Sequence, residues 1–381
     1  MKHQHIVQNQ LLAPQPPPRN QRGAVGWIRQ NLFATPLDSF ITIILTILVL
    51  WTLVPFVEWA LVDAVWSGPN RSVCTTIAQG GIQADGWSGA CWAFLRANFG
   101  QVIFNAYPDQ ERWRVLLVAL IVIIVNVPLL TPKVPHKIIN ATISVFIVPI
   151  LGFFLLYGGV AELPVVSTDQ WGGLMVTLII AYMSITLALP IGTLLALARA
   201  SHLVALRTAA IIFIETLRGI PLVAILIVAS FMLPAFLPKG MTIDNFLRVL
   251  IGVALFTSAY IAEVIRGGLQ SVSKSQYEAA HSLGFNYLGT TFLIILPQAF
   301  RIATPGIMNV LIGMFKETSL VYVINMYDLL NKVQDVSQQA KWLTPQTPNT
   351  GYVFAGLVFW FFCYAMSRYG RFLERTLSGE R

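Results

Sequence analysis

The chain has 381 residues, of which 56% are hydrophobic and only 11% are charged. Soluble domains carry about a quarter charged residues, so this composition excludes an ordinary soluble protein. The formal net charge of +8 suggests an anionic partner, but the basic residues follow the membrane topology described below, and we expect no nucleic-acid partner.

The first 39 residues are polar and hold the proline cluster Pro14, Pro16, Pro17 and Pro18. This composition predicts a flexible tail rather than a packed element. No signal peptide is expected there, because the charged stretch is too long and no apolar core follows within it.

Eight apolar segments follow the tail, and each is long enough, or nearly so, to cross a bilayer core about 30 Å thick. They are 40–62, 115–131, 138–160, 171–198, 209–237, 246–265, 288–315 and 351–367. The pattern predicts an all-α integral membrane protein with three transmembrane helices before residue 171 and five after it. We divide the chain into a tail (1–39), an accessory region (40–170) and a five-helix core (171–381).

The basic residues predict the orientation of these helices. If the tail is cytoplasmic, the segments on its side hold 14 Lys and Arg residues and those on the other side hold eight. Four of the eight lie in the 52-residue loop 63–114, and loops of that length cross the membrane with weaker regard to charge. Both termini are therefore predicted to be cytoplasmic.

Two of the three cysteines, Cys74 and Cys91, fall in loop 63–114, which this orientation places in an oxidising periplasm. A disulfide there would fasten a long, glycine-rich loop, although two free thiols fit the sequence equally well. Cys363 lies in the eighth apolar segment, where a small buried hydrophobic residue is the favoured interpretation.

Motifs that would indicate chemistry within the chain are absent. No G-x-x-x-x-G-K-[ST] loop occurs, so a nucleotide that drives this protein must bind another chain, and no cofactor is predicted here. The five histidines lack the spacing of a zinc site, and no metal is expected. No G-x-S-x-G nucleophile motif occurs either, so we predict that the protein is not an enzyme.

The loop between the sixth and seventh apolar segments is the most informative part of the chain. Residues 279–283 favour a short helix, with Glu278 near its positively polarised start and Gly284 suited to a left-handed turn at its end. We expect a helix at about 278–288 that lies parallel to the membrane and presents a rigid surface to a cytoplasmic partner.

Glu278, Ala279, Ala280 and Gly284, with the Leu-Pro pair 296–297 after them, resemble the E-A-A-x-x-x-G signature of membrane subunits of binding-protein-dependent ABC importers. The resemblance implies a type I permease core of five helices. It also implies that the loop helix docks in a groove of a separate ATPase subunit, which binds ATP and Mg. An ordinary amphipathic loop helix is the alternative interpretation.

Further segments resemble one branch of this family, the permeases for polar amino acids related to the histidine and arginine importers. They are Trp171-Gly172-Gly173 with Thr177, Glu215 to Pro221, Ala259 to Gly268, and Lys316 to Leu320. The leading helices resemble the longer permeases of general L-amino acid systems, which work as heterodimers. The implied partners are a second permease subunit, ATPase subunits, a periplasmic amino-acid-binding protein, an L-amino acid and the lipid of a bacterial inner membrane.

Glu215 and Arg218 are ionisable residues deep in an apolar segment. A charge at the bilayer centre costs about 2.5–3.5 kcal/mol, so neither side chain is expected to face lipid. Because they are three residues apart on a helix, Glu215 and Arg218 can form a salt bridge with each other only. Alternatively, Arg218 binds the carboxylate and Glu215 the ammonium of an amino acid. Gly219 and Pro221 predict a kinked or broken helix, a common setting for transporter substrate sites, with a mere packing kink as the alternative.

Three further sets of polar residues complete the candidates. Glu263 and Arg266 are expected to form a structural or gating ion pair at the inner end of the sixth segment. Thr318 and Ser319, at the outer end of the seventh segment, are candidates for contact with the substrate, with a solvated helix end as the alternative. We assign no role to Arg301 and expect only that its side chain faces a partner protein.

Together these features predict the membrane subunit of an ABC importer that moves polar or diverse L-amino acids from periplasm to cytoplasm. A soluble binding protein delivers the substrate and separate ATPases supply the energy. The alternative is an ion-coupled secondary transporter, which also contains intramembrane charges and broken helices but needs no docking loop.

Overall fold

A computed structural model describes residues 23–131, 134–238 and 240–378. Within these ranges the regular structure is helical, and backbone pairing of the strand type is limited to three isolated bridges. The predicted all-α class is confirmed. The described chain divides into two compact units, 23–64 with 88–90, and 65–87 with the residues from 91 onward.

The first unit contains α1 (Gly23–Asn31) and α2 (Pro36–Val57), which a π-helical turn extends to Val62. Thr35 begins α2 with a capping box, because its Oγ1 accepts a hydrogen bond from the Asp38 amide at 3.1 Å and its amide donates to the Asp38 carboxylate at 3.2 Å. The predicted tail 1–39 is therefore partly helical. Residues 1–22 lie outside the described ranges.

The second unit holds the remaining helices. They are α3 (Trp92–Ala97), α4 (Phe99–Phe104), α5 (Arg112–Leu130), α6 (Lys137–Thr142), α7 (Val148–Tyr157), α8 (Gly173–Ala200), α9 (Val204–Gly219), α10 (Leu222–Ile227), α11 (Leu233–Phe236), α12 (Asn245–Ser271), α13 (Lys274–Ser282), α14 (Tyr287–Gly289), α15 (Leu296–Glu317), α16 (Leu329–Ser337) and α17 (Thr347–Ser378). Residues 318–324 continue α15 as a 3₁₀-helix.

Seven helices among the described residues are long and apolar enough to cross a membrane. They are Pro36–Val62, Asp109–Leu130, Lys137–Tyr157, Gly173–Ala200, Asn245–Ser271, Tyr287–Ile324 and Thr347–Leu377. An eighth span consists of two pieces, Val204–Gly219 and Leu222–Phe236, bent by 105°. The eight predicted segments are each found, but 209–237 is not one continuous helix, and the last helix extends well beyond 351–367 at both ends.

The helices of the second unit run alternately between two ends, which we call the disulfide end and the α13 end. At the disulfide end, Cys74 and Cys91 are disulfide-bonded with their Cα atoms 5.8 Å apart. There too, α8 begins where the Gly173 amide donates to the carbonyl of Tyr327 at 2.9 Å. At the α13 end, α8 and α12 finish and α13 follows α12 directly.

The core forms around α12, whose apolar window is 67% buried, the largest share of any described span. Close packing against α8 requires Gly192, because a Cβ there would lie 2.7 Å from Cγ2 of Ile261 and 2.9 Å from the carbonyl oxygen of Ser258. Close packing of α12 against α15 requires Gly268 for the same reason, because a Cβ there would lie 2.5 Å from the carbonyl oxygen of Ala299. These close approaches hold three helices together around the site described next.

Candidate functional site

The broken span is the first component of the site. Helix α9 ends at Gly219 and α10 starts at Leu222, because Pro221 has no amide hydrogen to continue the helical ladder. Tyr260 of α12 donates its hydroxyl to the free carbonyl of Arg218 at 3.4 Å. Tyr260 is two residues, or about 3 Å, past the midpoint of α12. The predicted break is confirmed, and it lies near the middle of the helical bundle.

Five charged side chains from three helices meet beside the break, and we call them the ion network. Arg199 of α8 contacts Glu215 of α9 at 2.8 Å and Glu263 of α12 at 3.4 Å. Arg218 lies 3.7 Å from Glu263 and 4.0 Å from Glu215. Arg266 donates to Glu263 through Nε at 2.9 Å and also through its NH2 group. The network therefore ties the broken span to both neighbouring core helices.

The sequence predicted two separate pairs here, Glu215 with Arg218 and Glu263 with Arg266. The structure joins them into one network, because α9 packs against both α8 and α12. Arg199 is the member that sequence reasoning missed. It lies in the last turn of α8, where its charge was interpreted only as a sign of topology, and its partners are 16 and 64 residues away.

The ion network has an odd number of charges, three guanidinium groups against two carboxylates. Arg218 is the least well satisfied member, because its distances to both carboxylates exceed a hydrogen bond and its buried Nε has no hydrogen-bond partner in the described chain. Its ring neighbour is Tyr260, 5.6 Å from the guanidinium carbon to the ring centroid. The network can thus accept one additional anion, such as a carboxylate.

An open cavity of about 390 Å³ connects the ion network with α13. Arg199 and Arg266 line it on the network side, and Lys274 and Tyr277 line it from α13. Burial raises the pKa of the Tyr277 hydroxyl, which therefore stays protonated at neutral pH. A displacement of α13 would change this cavity and the two network arginines at the same time.

Helix α13 begins at Lys274 and not at the expected position 278, so Glu278 lies in its second turn rather than at its start. The helix ends at Ser282, earlier than the predicted bound of 288, while Gly284 adopts the predicted left-handed conformation, at φ 80°. Glu278 and Ala279 are exposed, whereas Ala280 is only 1% exposed and packs toward the rest of the chain. A partner can therefore contact Glu278 and Ala279 of the E-A-A-x-x-x-G motif but not Ala280, which the sequence had included in the exposed surface.

Thr318 and Ser319 do not lie at a solvated helix end, which was the alternative to substrate contact in the sequence interpretation. Helix α15 passes into the 3₁₀ segment 318–324 at this point. Thr318 is 1% exposed and its hydroxyl donates to the Phe315 carbonyl at 2.8 Å. Thr318 is thus closed to a ligand in this conformation, while Ser319 is half-buried and donates to the carbonyl of Lys316.

Comparisons with known proteins agree with this architecture. Residues 188–379 match the family model of the binding-protein-dependent transport system inner membrane component. The chain belongs to this family. It is 43% identical to the inner membrane amino-acid ABC transporter permease protein YhdY of Escherichia coli (strain K12), over 97% of both chains. It is 34% identical to the glutamate/glutamine/aspartate/asparagine transport system permease protein BztC of Rhodobacter capsulatus, over the full length of both.

The chain is also similar to a solved amino acid ABC transporter crystallised with histidines, at 30% identity and a TM-score of 0.47 over 54% of this chain and 92% of that one. The family and the two full-length relatives identify an amino-acid ABC transporter permease subunit, a multi-pass inner-membrane protein with the type I permease fold. As a permease subunit it is not an enzyme, and ATP hydrolysis belongs to its partner subunits.

Proposed function

We propose that this permease imports polar L-amino acids, including acidic amino acids and their amides, from the periplasm to the cytoplasm. The printed substrates of the relative BztC support this range, since that relative matches over the whole chain. The distribution of basic residues supports cytoplasmic termini and a cytoplasmic α13 end. The Cys74–Cys91 disulfide at the opposite end is compatible with an oxidising periplasm.

One observation carries the mechanism: α13, the cavity, the ion network and the broken span form a continuous series. Closure of two ATPases would displace α13 through the exposed surface at Glu278 and Ala279, with Gly284 permitting the turn that leaves the helix. Displacement would reach Arg199 and Arg266 across the cavity. Glu263 then acts as a gate together with Arg266, because Glu263 holds Arg218 of α9 against α12 and Arg266 competes for the same carboxylate from within α12.

The substrate contact that we propose uses Arg218 and Glu215. Arg218 has unused hydrogen-bonding capacity and can receive the α-carboxylate of an amino acid, while Glu215, 52% exposed, can receive the α-ammonium. Gly219 has open space around it, so a ligand can approach the backbone at the break. Because every amino acid presents these two charges, broad specificity follows from the same contact. Ser319 would contribute only after the 3₁₀ segment moves.

The second permease subunit is proposed to be a similar but different chain. A heterodimer follows from the resemblance to general L-amino acid systems, and it allows one subunit to carry more of the substrate contacts than the other. Co-expression with each candidate partner, followed by mass measurement of the purified complex, tests this composition. A complex that contains two copies of this chain and no second permease would contradict it.

Reconstitution tests the function itself. The complete complex in proteoliposomes, with binding protein outside and ATP inside, should take up glutamate, glutamine, histidine and arginine and hydrolyse ATP faster when substrate-loaded binding protein is present. Uptake driven by a sodium or proton gradient without ATP would favour the secondary transporter. Ala279→Arg should abolish ATPase docking on the exposed surface of α13, while the charge reversal Lys341→Glu, in a surface loop at the disulfide end, should leave docking intact.

Arg218→Ala tests the contact. Loss of a charge-assisted hydrogen bond worth about 1.5–3 kcal/mol predicts a decrease of about tenfold or more in uptake of all α-amino acids alike. ATPase subunits should still co-purify in normal amounts. Unchanged uptake in both Arg218→Ala and Glu215→Gln would contradict the assignment of these two residues to the substrate contact.

A further inference from the structure

Helix α15 has an exposed polar face that the site above does not use. Arg301, Pro305, Asn309 and Lys316 are exposed and follow one another at intervals of four, four and seven residues, so they lie on one side of the helix. The opposite side is buried against α12 and α17 in the core. We call the four exposed residues the basic face.

Lipid is not a suitable neighbour for the basic face. The basic face extends along most of a membrane-spanning helix, since Arg301 and Lys316 are fifteen residues, or about 22 Å, apart along the axis. Charged groups in spanning helices face protein or water, because their transfer to hydrocarbon is costly.

The backbone of α15 also has an acceptor here that protein or water must satisfy. Pro305 has no amide hydrogen, so the carbonyl of Arg301, four residues earlier, loses its helical donor. An unpaired carbonyl at membrane depth is tolerated only where protein or a watery cavity supplies a hydrogen bond. Arg301 therefore offers a guanidinium donor and a backbone carbonyl acceptor.

The charges of the basic face indicate what passes along it. Within α15, all of which is described, no exposed position carries a carboxylate, and the one acidic residue, Glu317, is half-buried. The basic face of a second copy of this chain would repel the first electrostatically, because both carry positive charges. A carboxylate-bearing solute with its water satisfies both cations without a fixed acidic partner.

We propose that the basic face lines the hydrated substrate passage, and that Arg301 and Lys316 favour amino acids with a side-chain carboxylate. This inference rests on the proposed function and extends it, because it assigns selectivity to residues away from the Glu215–Arg218 contact. Asn309, between the two cations, supplies an amide that binds acidic and amide side chains alike.

Thiol labelling tests the hydration of the face. Asn309→Cys, in a Cys363→Ala background, should react with a charged, membrane-impermeant methanethiosulfonate in proteoliposomes, either without nucleotide or with ATP trapped. Ile124→Cys, an exposed apolar position on α5, is the matched control and should stay unreactive. No reaction at Asn309→Cys in either state would overturn the proposal.

Uptake measurements test the selectivity. Arg301→Gln and Lys316→Gln should each lower the ratio of glutamate to glutamine uptake by about tenfold, as expected for loss of one partly desolvated charge contact. Arg368→Gln on α17 makes the same charge change at another exposed position and should leave the ratio unaltered. Normal uptake with an unchanged ratio in both variants would overturn this inference alone. Absence of ATP-dependent uptake by the unmodified complex would instead overturn the proposed function.

Discussion

Arg199 shows how one side chain can connect three helices. It lies in the last turn of α8, yet its guanidinium contacts a carboxylate of α9 and a carboxylate of α12. Its own side chain is 19% exposed, so the contacts are only partly screened by water. Such a residue holds the network in one arrangement without contacting the substrate itself.

Arg199→Gln should lower the stability of the permease by about 1–2 kcal/mol, between the values for exposed and buried ion pairs. It should also uncouple ATP hydrolysis from uptake, because α9 would lose its ion pair with α8. The ratio of amino acid transported to ATP hydrolysed measures this effect. Arg207→Gln on the exposed surface of α9 is the control, and an unchanged ratio in Arg199→Gln would contradict the gating role.

Asp328 is a fully buried residue that caps α16, and its carboxylate accepts hydrogen bonds from the amides of Leu330 at 3.1 Å and Asn331 at 3.0 Å. Burial raises the pKa of this carboxyl, although the hydrogen bonds from Asn331 and Leu330 act against the rise. A raised pKa in the folded state means that the folded protein binds the proton more tightly. Stability should therefore fall as pH rises from the unfolded pKa, about 3.9, through the folded pKa.

Asp328→Asn should remove this pH dependence and keep the cap, since asparagine is an equally good N-cap residue. Asp328→Ala should lose about 1 kcal/mol through the uncapped amides. Thermal unfolding of the purified protein across this pH range measures both effects. A wild-type stability that increases with pH in this window, or an asparagine variant less stable than the alanine variant, would contradict the assignment.

At the scale of the element, the broken span α9–α10 differs from every other transmembrane helix of the described chain. Pro55, Pro128, Pro190 and Pro305 lie inside helices that continue past them, whereas the helix stops before Pro221. The difference is that Ile220 is extended, with φ −104° and ψ 133°, as is favoured before proline. Tyr260 then stabilises the break by donating to the free carbonyl of Arg218.

Pro221→Ala should allow α9 to continue toward α10, because the amide returns and the steric restriction on Ile220 is removed. We expect uptake to decrease at least severalfold with little loss of folded protein. Pro234→Ala, at the start of α11, is the control for a general effect of losing a proline. Normal uptake by Pro221→Ala would show that the proline is dispensable for the break.

At the scale of the whole molecule, the eight spans and the helix break were predictable because each rests on local sequence. Apolar length identified the spans, and Pro221 identified the break. The ion network was predictable only in part, since Arg199 comes near Glu215 and Glu263 through tertiary packing that no sequence spacing encodes. The depth of Thr318 was missed for a related reason: the 3₁₀ continuation to Ile324 has no proline or glycine to mark its beginning.

The Cys74–Cys91 disulfide belongs to a cluster that packs residues from 65–87 and Cys91 with α3, α16 and α17. It closes a segment of 17 residues, for which chain entropy predicts about 3 kcal/mol of stabilisation. The double variant Cys74→Ser with Cys91→Ser should unfold at a distinctly lower temperature than the wild type. Cys363→Ser is the control, and equal unfolding temperatures for the wild type and the double variant would contradict a stabilising bridge.

Because the disulfide consumes the other two cysteines, Cys363 is the single thiol of the native chain. A fluorophore or spin label could therefore be attached at one defined place without any prior mutagenesis. That place is in the middle of α17, where Cys363 is half-buried. A spectroscopic reporter at this position would test whether the surroundings of α17 change during the transport cycle.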